Sequence, residues 1–248
     1  MAVQSDRSVV AMVAIWLSLS GGALYALADY GSSAGQAAPA PSQWPASVAT
    51  GITPSADRAT VVLFAHPLCP CTRATLVEFE SLTNRLYGLF DLHVLFFEPA
   101  DPSAMPEVWG ASDLRQLASA LPGTRLHADV DGQLARHFGA YTSGQVLLYD
   151  TTGALRFGGG ITPSRGHTGS NPGRGTLIST ILSDSGIDPL APILNPVFGC
   201  GLLDSRDDDR KSTQEPLVFG HGGEGKDHLS LAVSARHLLS APVAGQFS

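Results

Sequence analysis

Apolar and polar positions alternate with three different rhythms along this chain. From Ser8 to Ala28 there is no charged residue, and Val, Ala, Ile, Leu, Met and Trp dominate. At about 1.5 Å rise per residue a helix over this stretch is about 30 Å long, enough to cross the apolar core of a bilayer. A different rhythm begins at Thr60. Val61-Val62-Leu63-Phe64-Ala65 is a short unbroken apolar run, the mark of a buried strand over 60–66. Leu76, Phe79, Leu82 and Leu86 then recur as one face of a helix over 71–88. Leu92 to Phe97 is a second buried strand, stopped by Pro99 and Pro102. Ser112 N-caps a short helix that carries Leu114, Leu117 and Leu121 on one face and ends at Pro122-Gly123.

The pattern continues with a strand over 125–130, a helical turn over 131–138 closed by Gly139, and a strand at Val146–Tyr149. Asp150-Thr151-Thr152-Gly153 turns the chain back into Leu155-Arg156-Phe157, and 176–183 reads as a last helix. Alternating β and α units predict an α/β domain with a mixed sheet flanked by helices, preceded by one transmembrane helix. The predicted organisation is a short cytoplasmic N-terminus over 1–7, a signal anchor over 8–28, a linker over 29–58, a folded domain over 59–190 and a partly disordered extension over 191–248.

Pro39, Pro41, Pro45 and Pro54 stand in a stretch rich in Gly, Ser and Ala, which predicts an extended spacer holding the domain away from the membrane. Ala26-Leu27-Ala28 resembles a signal-peptide cleavage site, but the apolar segment is longer than a usual signal core, which favours a retained anchor. Arg7 and the amino terminus place the short N-terminus inside and the domain on the exported side. Beyond Pro189 the periodicity weakens. Residues 204–216 are charged, and 227–239 suit a short amphipathic helix.

Composition narrows the function. The 248 residues carry a net charge of −7, which argues against a nucleic-acid partner. No phosphate-loop, H-E-x-x-H or dinucleotide fingerprint is present. Three cysteines are too few for a disulfide framework, and two of them, Cys69 and Cys71, form a C-P-C turn between strand and helix. A thiol at a helix N-terminus meets unpaired N–H groups and partial positive charge, which favour the thiolate. Cys69 is therefore the candidate nucleophile. Cys71 either closes a strained C-x-C disulfide with it or joins it in binding a soft metal. His66, three residues upstream, is a candidate acid–base partner or ligand, and His167 lies in a polar glycine-rich loop that suits a site wall. Cys200 is a candidate resolving thiol or third metal ligand if its segment folds back.

Two stretches carry a family resemblance. Leu68-Cys69-Pro70-Cys71-Thr72-Arg73 follows a buried strand, and Asp129-Val130-Asp131-Gly132 leads through Ala135 and Phe138-Gly139-Ala140 to Tyr149-Asp150. Over about 60–185 the chain resembles thioredoxin-fold proteins, most closely the membrane-anchored TlpA/ResA-like thiol–disulfide oxidoreductases, with similarity to a RedB-like group that has a C-P-C-T turn. The family pattern is W-C-x-x-C-R. Here Leu68 replaces the tryptophan, and Thr72 stands where the resolving cysteine belongs.

The resemblance implies protein thiols or disulfides as partners, with substrate backbone held near Ser143, Gly144 and Gln145. It implies a bacterial inner-membrane location with the domain in the periplasm. Thr72 would offer its hydroxyl to the Cys69 thiolate, and Gly144 occupies the position of the family's proline. Thiol–disulfide exchange needs no cofactor. The alternative is a copper carrier using Cys69, Cys71 and His167 or His66, since copper-delivering relatives use two cysteines and a histidine. A third reading is a degenerate docking module.

Overall fold

In a computed structural model the structure describes residues 2–45, 52–101, 103, 112–183 and 191–203. The first element, α1 (Ala2–Ser32), extends the predicted anchor by several residues at each end. Its stretch Asp6–Ser32 is long and apolar enough to cross a membrane, and Trp16, Leu24 and Leu27 all point away from protein.

The domain is built on β1 (Ala59–Ala65), α2 (Pro70–Arg85), β2 (Phe90–Glu98), α3 (Asp113–Ser119), β3 (Thr124–Val130), α4 (Gln133–His137), β4 (Val146–Tyr149), β5 (Leu155–Gly159), α5 (Pro172–Leu182) and β6 (Ile193–Leu194). The sheet order is β3-β2-β1-β4-β5-β6. Strands β1, β2 and β3 run parallel, β4 is antiparallel to both β1 and β5, and β6 is parallel to β5. Strand β1 is thus central, and its C-terminal end delivers His66 and the C-P-C turn.

The two faces of β1 divide the core by the two-residue period of a strand. Val61, Leu63 and Ala65 face α2, α3 and α5, packing with Leu76, Phe79, Leu82, Leu114 and Leu177. Val62 and Phe64 face the other way, with Phe138, Leu147 and Tyr149. Both faces are apolar because both are covered, which is why β1 reads as a continuous run rather than an alternation.

Two expectations need correction. The proline-rich stretch is not a free spacer over its described part. It lies along the domain: Gly35 N–H donates to Val197 O at 2.8 Å, Ala38 N–H to Gly139 O at 3.1 Å, and Trp44 N–H to Gly153 O at 2.7 Å. Trp44 packs edge-on against Phe138 and Tyr149, with ring centroids 5.2 and 5.1 Å away. Proline suits such a strap, because it limits unfolded freedom and the strap needs few N–H donors. The other correction is at 191–203. This stretch, expected to belong to a partly disordered extension beyond the folded domain, adds β6 to the sheet and then crosses the domain as a second strap. The predictions for 204–216 and 227–239 lie outside the described residues.

Candidate functional site

Strand β1 ends at Ala65 and the chain turns through His66-Pro67-Leu68 into α2. Cys69 is the N-cap, in extended conformation, and Pro70 takes the first helical position. Proline fits there because its missing N–H would have no intrahelical partner. Cys69 Sγ therefore lies where the helix exposes free N–H groups. Leu68, in the family's tryptophan position, is about half exposed beside it. Cys71 sits within the first turn, and both thiols are buried.

The turn is held by a dense set of bonds. His66 N–H reaches Thr72 Oγ1 and Ser143 Oγ, each at 3.1 Å, and Thr72 Oγ1 donates to His66 O at 3.1 Å. Thr72 and Ser143 are both fully buried. The Thr72 hydroxyl therefore serves the His66 backbone and Ser143, and it is the Thr72 backbone amide that donates to Cys69. The His66 ring turns aside: its Nδ1 accepts from Leu68 N–H at 3.3 Å, and it stacks over Phe97. Arg73 pairs with Asp113 on α3, so its charge is engaged away from the thiols.

Residues 140–145 approach from the opposite side. Gly144 has φ +91°, and its N–H donates to Phe64 O at 2.8 Å. Proline would have neither that N–H nor that φ, which explains the glycine on local grounds. Ser143 N–H donates to Cys200 O at 2.9 Å, Leu202 N–H to Tyr141 O at 2.8 Å, and Thr142 pairs with Gly201 as an antiparallel bridge. The backbone edge expected to hold substrate is thus paired with the chain's own C-terminal strap. Gln145 is buried there, and its N–H closes a turn on Thr142 O.

The strap brings Cys200 to the site. The sulfurs of Cys69, Cys71 and Cys200 all lie within 4.8 Å of one another, and all three are free thiols. Cys69 receives hydrogen bonds from the Cys71 thiol, the Thr72 amide, the Ser143 hydroxyl and the Cys200 amide. Led by the Cys71 donor, they outweigh burial and bring its pKa down to about 4. Cys71 is pushed strongly upward, first because its proton is held against Cys69 and then by burial. Cys200 is raised by burial and by the negative Cys69, with Arg165 acting in the opposite sense. The three thiols thus divide into one thiolate and two proton carriers.

The glycine-rich loop forms a further wall. Gly166 lies against Pro70, and its amide donates to Cys71. His167 is exposed, its Nδ1–H donating to Arg165 O at 2.7 Å, and it does not join the cysteine cluster. Where the copper reading expected a histidine, the structure puts Cys200. Arg165 reaches back to the end of α1, with Nε donating to Tyr30 O at 3.0 Å and its guanidinium over the Tyr30 ring.

Sequence reasoning missed Ser143 as a donor to Cys69, Gly166 as a donor to Cys71, and the certainty of Cys200's approach. One signal was readable. Cys200 is flanked by Gly199 and Gly201, and a Cβ on Gly199 would lie 2.0 Å from Ser143 O. Only glycine lets the strap come this close.

No family model and no characterised protein matches the chain by sequence. Solved structures match its fold. A hypothetical protein from Sinorhizobium meliloti aligns at TM-score 0.50 and 18% identity, over 67% of this chain and 96% of that one. An uncharacterised conserved protein from Geobacillus kaustophilus aligns at TM-score 0.46 and 17% identity, over 69% and 92%. A secreted Mycobacterium tuberculosis disulfide oxidoreductase homologous to Escherichia coli DsbE aligns at TM-score 0.35 and 13% identity, over 51% and 81%.

Proposed function

We propose that this chain, whose fold is thioredoxin-like, is a membrane-tethered thiol–disulfide oxidoreductase acting on exported protein partners through Cys69. The observation that carries this reading is the Cys69 sulfur itself. It sits at the head of α2 with four hydrogen-bond donors directed at it, from Cys71, Thr72, Ser143 and Cys200. A structural cysteine in an apolar core has its pKa raised, whereas this buried thiol has it lowered.

The exchange runs in two displacements. The Cys69 thiolate attacks one sulfur of a partner disulfide, forming a mixed disulfide and releasing the partner's other sulfur as a thiolate. A second thiol of this chain, deprotonated, then attacks Cys69 Sγ and releases the first partner sulfur. The partner leaves as a dithiol, and this chain holds one disulfide in place of two thiols. A partner dithiol restores the thiols by the reverse sequence. Of the two thiols in reach, Cys200 suits the second displacement better. It is less buried than Cys71, and Arg165 favours its thiolate. The edge over residues 141–143 is held by the strap that carries Cys200, so it is not open to an extended partner segment while Cys200 stands at the site.

The tether reading rests on Asp6–Ser32, whose length and composition suit a bilayer crossing. Arg7 before the apolar run supports an exported domain facing the periplasm. The test is disulfide reduction by the reduced full chain in detergent. Cys69→Ser abolishes turnover, and Cys200→Ser stalls the chain as a mixed disulfide that survives on a non-reducing gel. Undiminished activity in Cys69→Ser sinks the reading.

A further inference from the structure

We infer that Cys69, Cys71 and Cys200, when all three are reduced, form a three-coordinate thiolate site for a soft monovalent cation of the copper(I) class. This goes beyond the exchange reading and does not depend on it.

Geometry comes first. The three sulfurs lie within 4.8 Å of one another. With metal–sulfur bonds of about 2.3 Å, a planar three-coordinate centre needs sulfurs about 4.0 Å apart. No pair of sulfurs therefore has to close by more than about 0.8 Å to reach that spacing. The sulfurs also come from two independently anchored pieces. Cys69 and Cys71 ride on the first turn of α2, and Cys200 is clamped by the Ser143–Cys200 and Tyr141–Leu202 backbone bonds. Such a site is assembled before the ion arrives.

The donor set selects the ion. Three thiolate sulfurs are soft ligands, which favour copper(I). Structural zinc takes four protein ligands, and no histidine or carboxylate joins the cluster among the described residues. His167 is engaged with Arg165 O on the loop surface instead. The charge is also provided for. Three thiolates around a monovalent cation leave excess negative charge, which the N-terminus of α2 and the nearby Arg165 offset.

Access follows from burial. Cys69 and Cys71 are 4% and 2% exposed, while Cys200 is more open, so an ion enters past Cys200. Binding converts the Cys71 and Cys200 thiols to thiolates and expels their protons. It also occupies the Cys69 sulfur. Metal binding and disulfide exchange are therefore mutually exclusive, and any disulfide among the three thiols removes the site.

The experiment uses the reduced full chain in detergent, without oxygen, titrated with copper(I) against the competing chelator bicinchoninate. One copper(I) binds per chain, X-ray absorption reports three sulfurs, and the bound ion blocks alkylation of Cys69 by iodoacetamide. Cys200→Ser weakens binding by about 100-fold or more and leaves two sulfurs. His167→Ala binds as the unaltered chain does. Far-UV circular dichroism of Cys200→Ser, unchanged from the parent, assigns the loss to the ligand rather than to folding; Cys200→Ala provides the same check with a different side chain. No binding, full-strength binding by both Cys200 variants, loss in His167→Ala, or displacement of copper(I) by equimolar zinc overturns the inference. The metal-free disulfide-reduction assay reads the exchange function separately, so each reading fails on its own measurement.

Discussion

Thr72 Oγ1 and Ser143 Oγ lie 2.6 Å apart, joining the first turn of α2 to the loop before β4. Ser143 has one hydroxyl proton, and the Cys69 sulfur is among its acceptors. With that proton on Cys69, the 2.6 Å contact takes its proton from the Thr72 hydroxyl, which then donates to Ser143 Oγ in place of His66 O. The threonine in the family's resolving-cysteine position thus acts on the nucleophile through the serine. Ser143→Ala removes a hydrogen bond to a charged sulfur, worth about 1.5–3 kcal/mol, and raises the Cys69 pKa by roughly 1–2 units. The pH profile of iodoacetamide alkylation, or of thiolate ultraviolet absorbance, checks this. Thr72→Val produces a smaller rise in the same direction; no change in either variant contradicts the relay.

Gly199 lies against the carbonyl of Ser143 at a distance no side chain tolerates. Gly199→Ala forces the strap outward at a cost of about 1–3 kcal/mol, the usual penalty for overpacking. Cys200 then reacts faster with an aromatic disulfide reagent in the folded chain, while α2 and β1 keep their protection from hydrogen exchange. An unchanged Cys200 labelling rate argues against strap docking by this contact.

Restoring the proline of the resembled family does not restore a familiar site. Gly144→Pro deletes the N–H that binds Phe64 O and demands a negative φ where the chain has +91°. A loss of about 3 kcal/mol or more is expected in denaturant unfolding of the full chain. A neutral effect would mean that the 142–145 turn rearranges freely.

His93 and His127 sit on neighbouring strands, stacked, with His93 Nδ1 2.9 Å from His127 Nε2. Burial first, and then the nearby His127 and Arg125, hold His93 down to about 4. The folded pKa is below the unfolded value of about 6.5, so the unfolded chain binds the proton first. The folded state keeps its full stability above about pH 6.5 and loses about 3 kcal/mol as pH falls toward 4. Denaturant unfolding between pH 7 and 4 shows this slope in the parent, and His93→Leu flattens it. An equal slope in that variant assigns the acid lability to other groups.

Much of the central fold was legible because it rests on side-chain burial. The run Val61–Ala65 and the spacing of Leu76, Phe79 and Leu82 report the two-sided sheet and the helix laid on it. The head of α2 was legible as chemistry because cysteine and proline have few other reasons to stand there. The two straps were not legible. Their docking runs mainly through backbone bonds, such as Gly35 to Val197 and Ser143 to Cys200, which leave no periodicity in the sequence. Trp44 was the exception, a large aromatic side chain in an otherwise small and polar stretch that packs into the second core face. The third thiol was visible as a residue, while its position depended on a β-bridge that pattern reading does not see.

The C-terminal strap also sets a clock. About 130 residues separate Cys69 from Cys200, and a ribosome adding about 5–20 residues per second takes roughly 6–26 s to cross that interval. Through that time the nascent chain has made Cys69 and Cys71 but lacks both the Cys200 amide that supports the thiolate and the third sulfur of the cluster. The reactive centre is finished only when Cys200 is written, so a product truncated before it keeps the nucleophile without its closing partner.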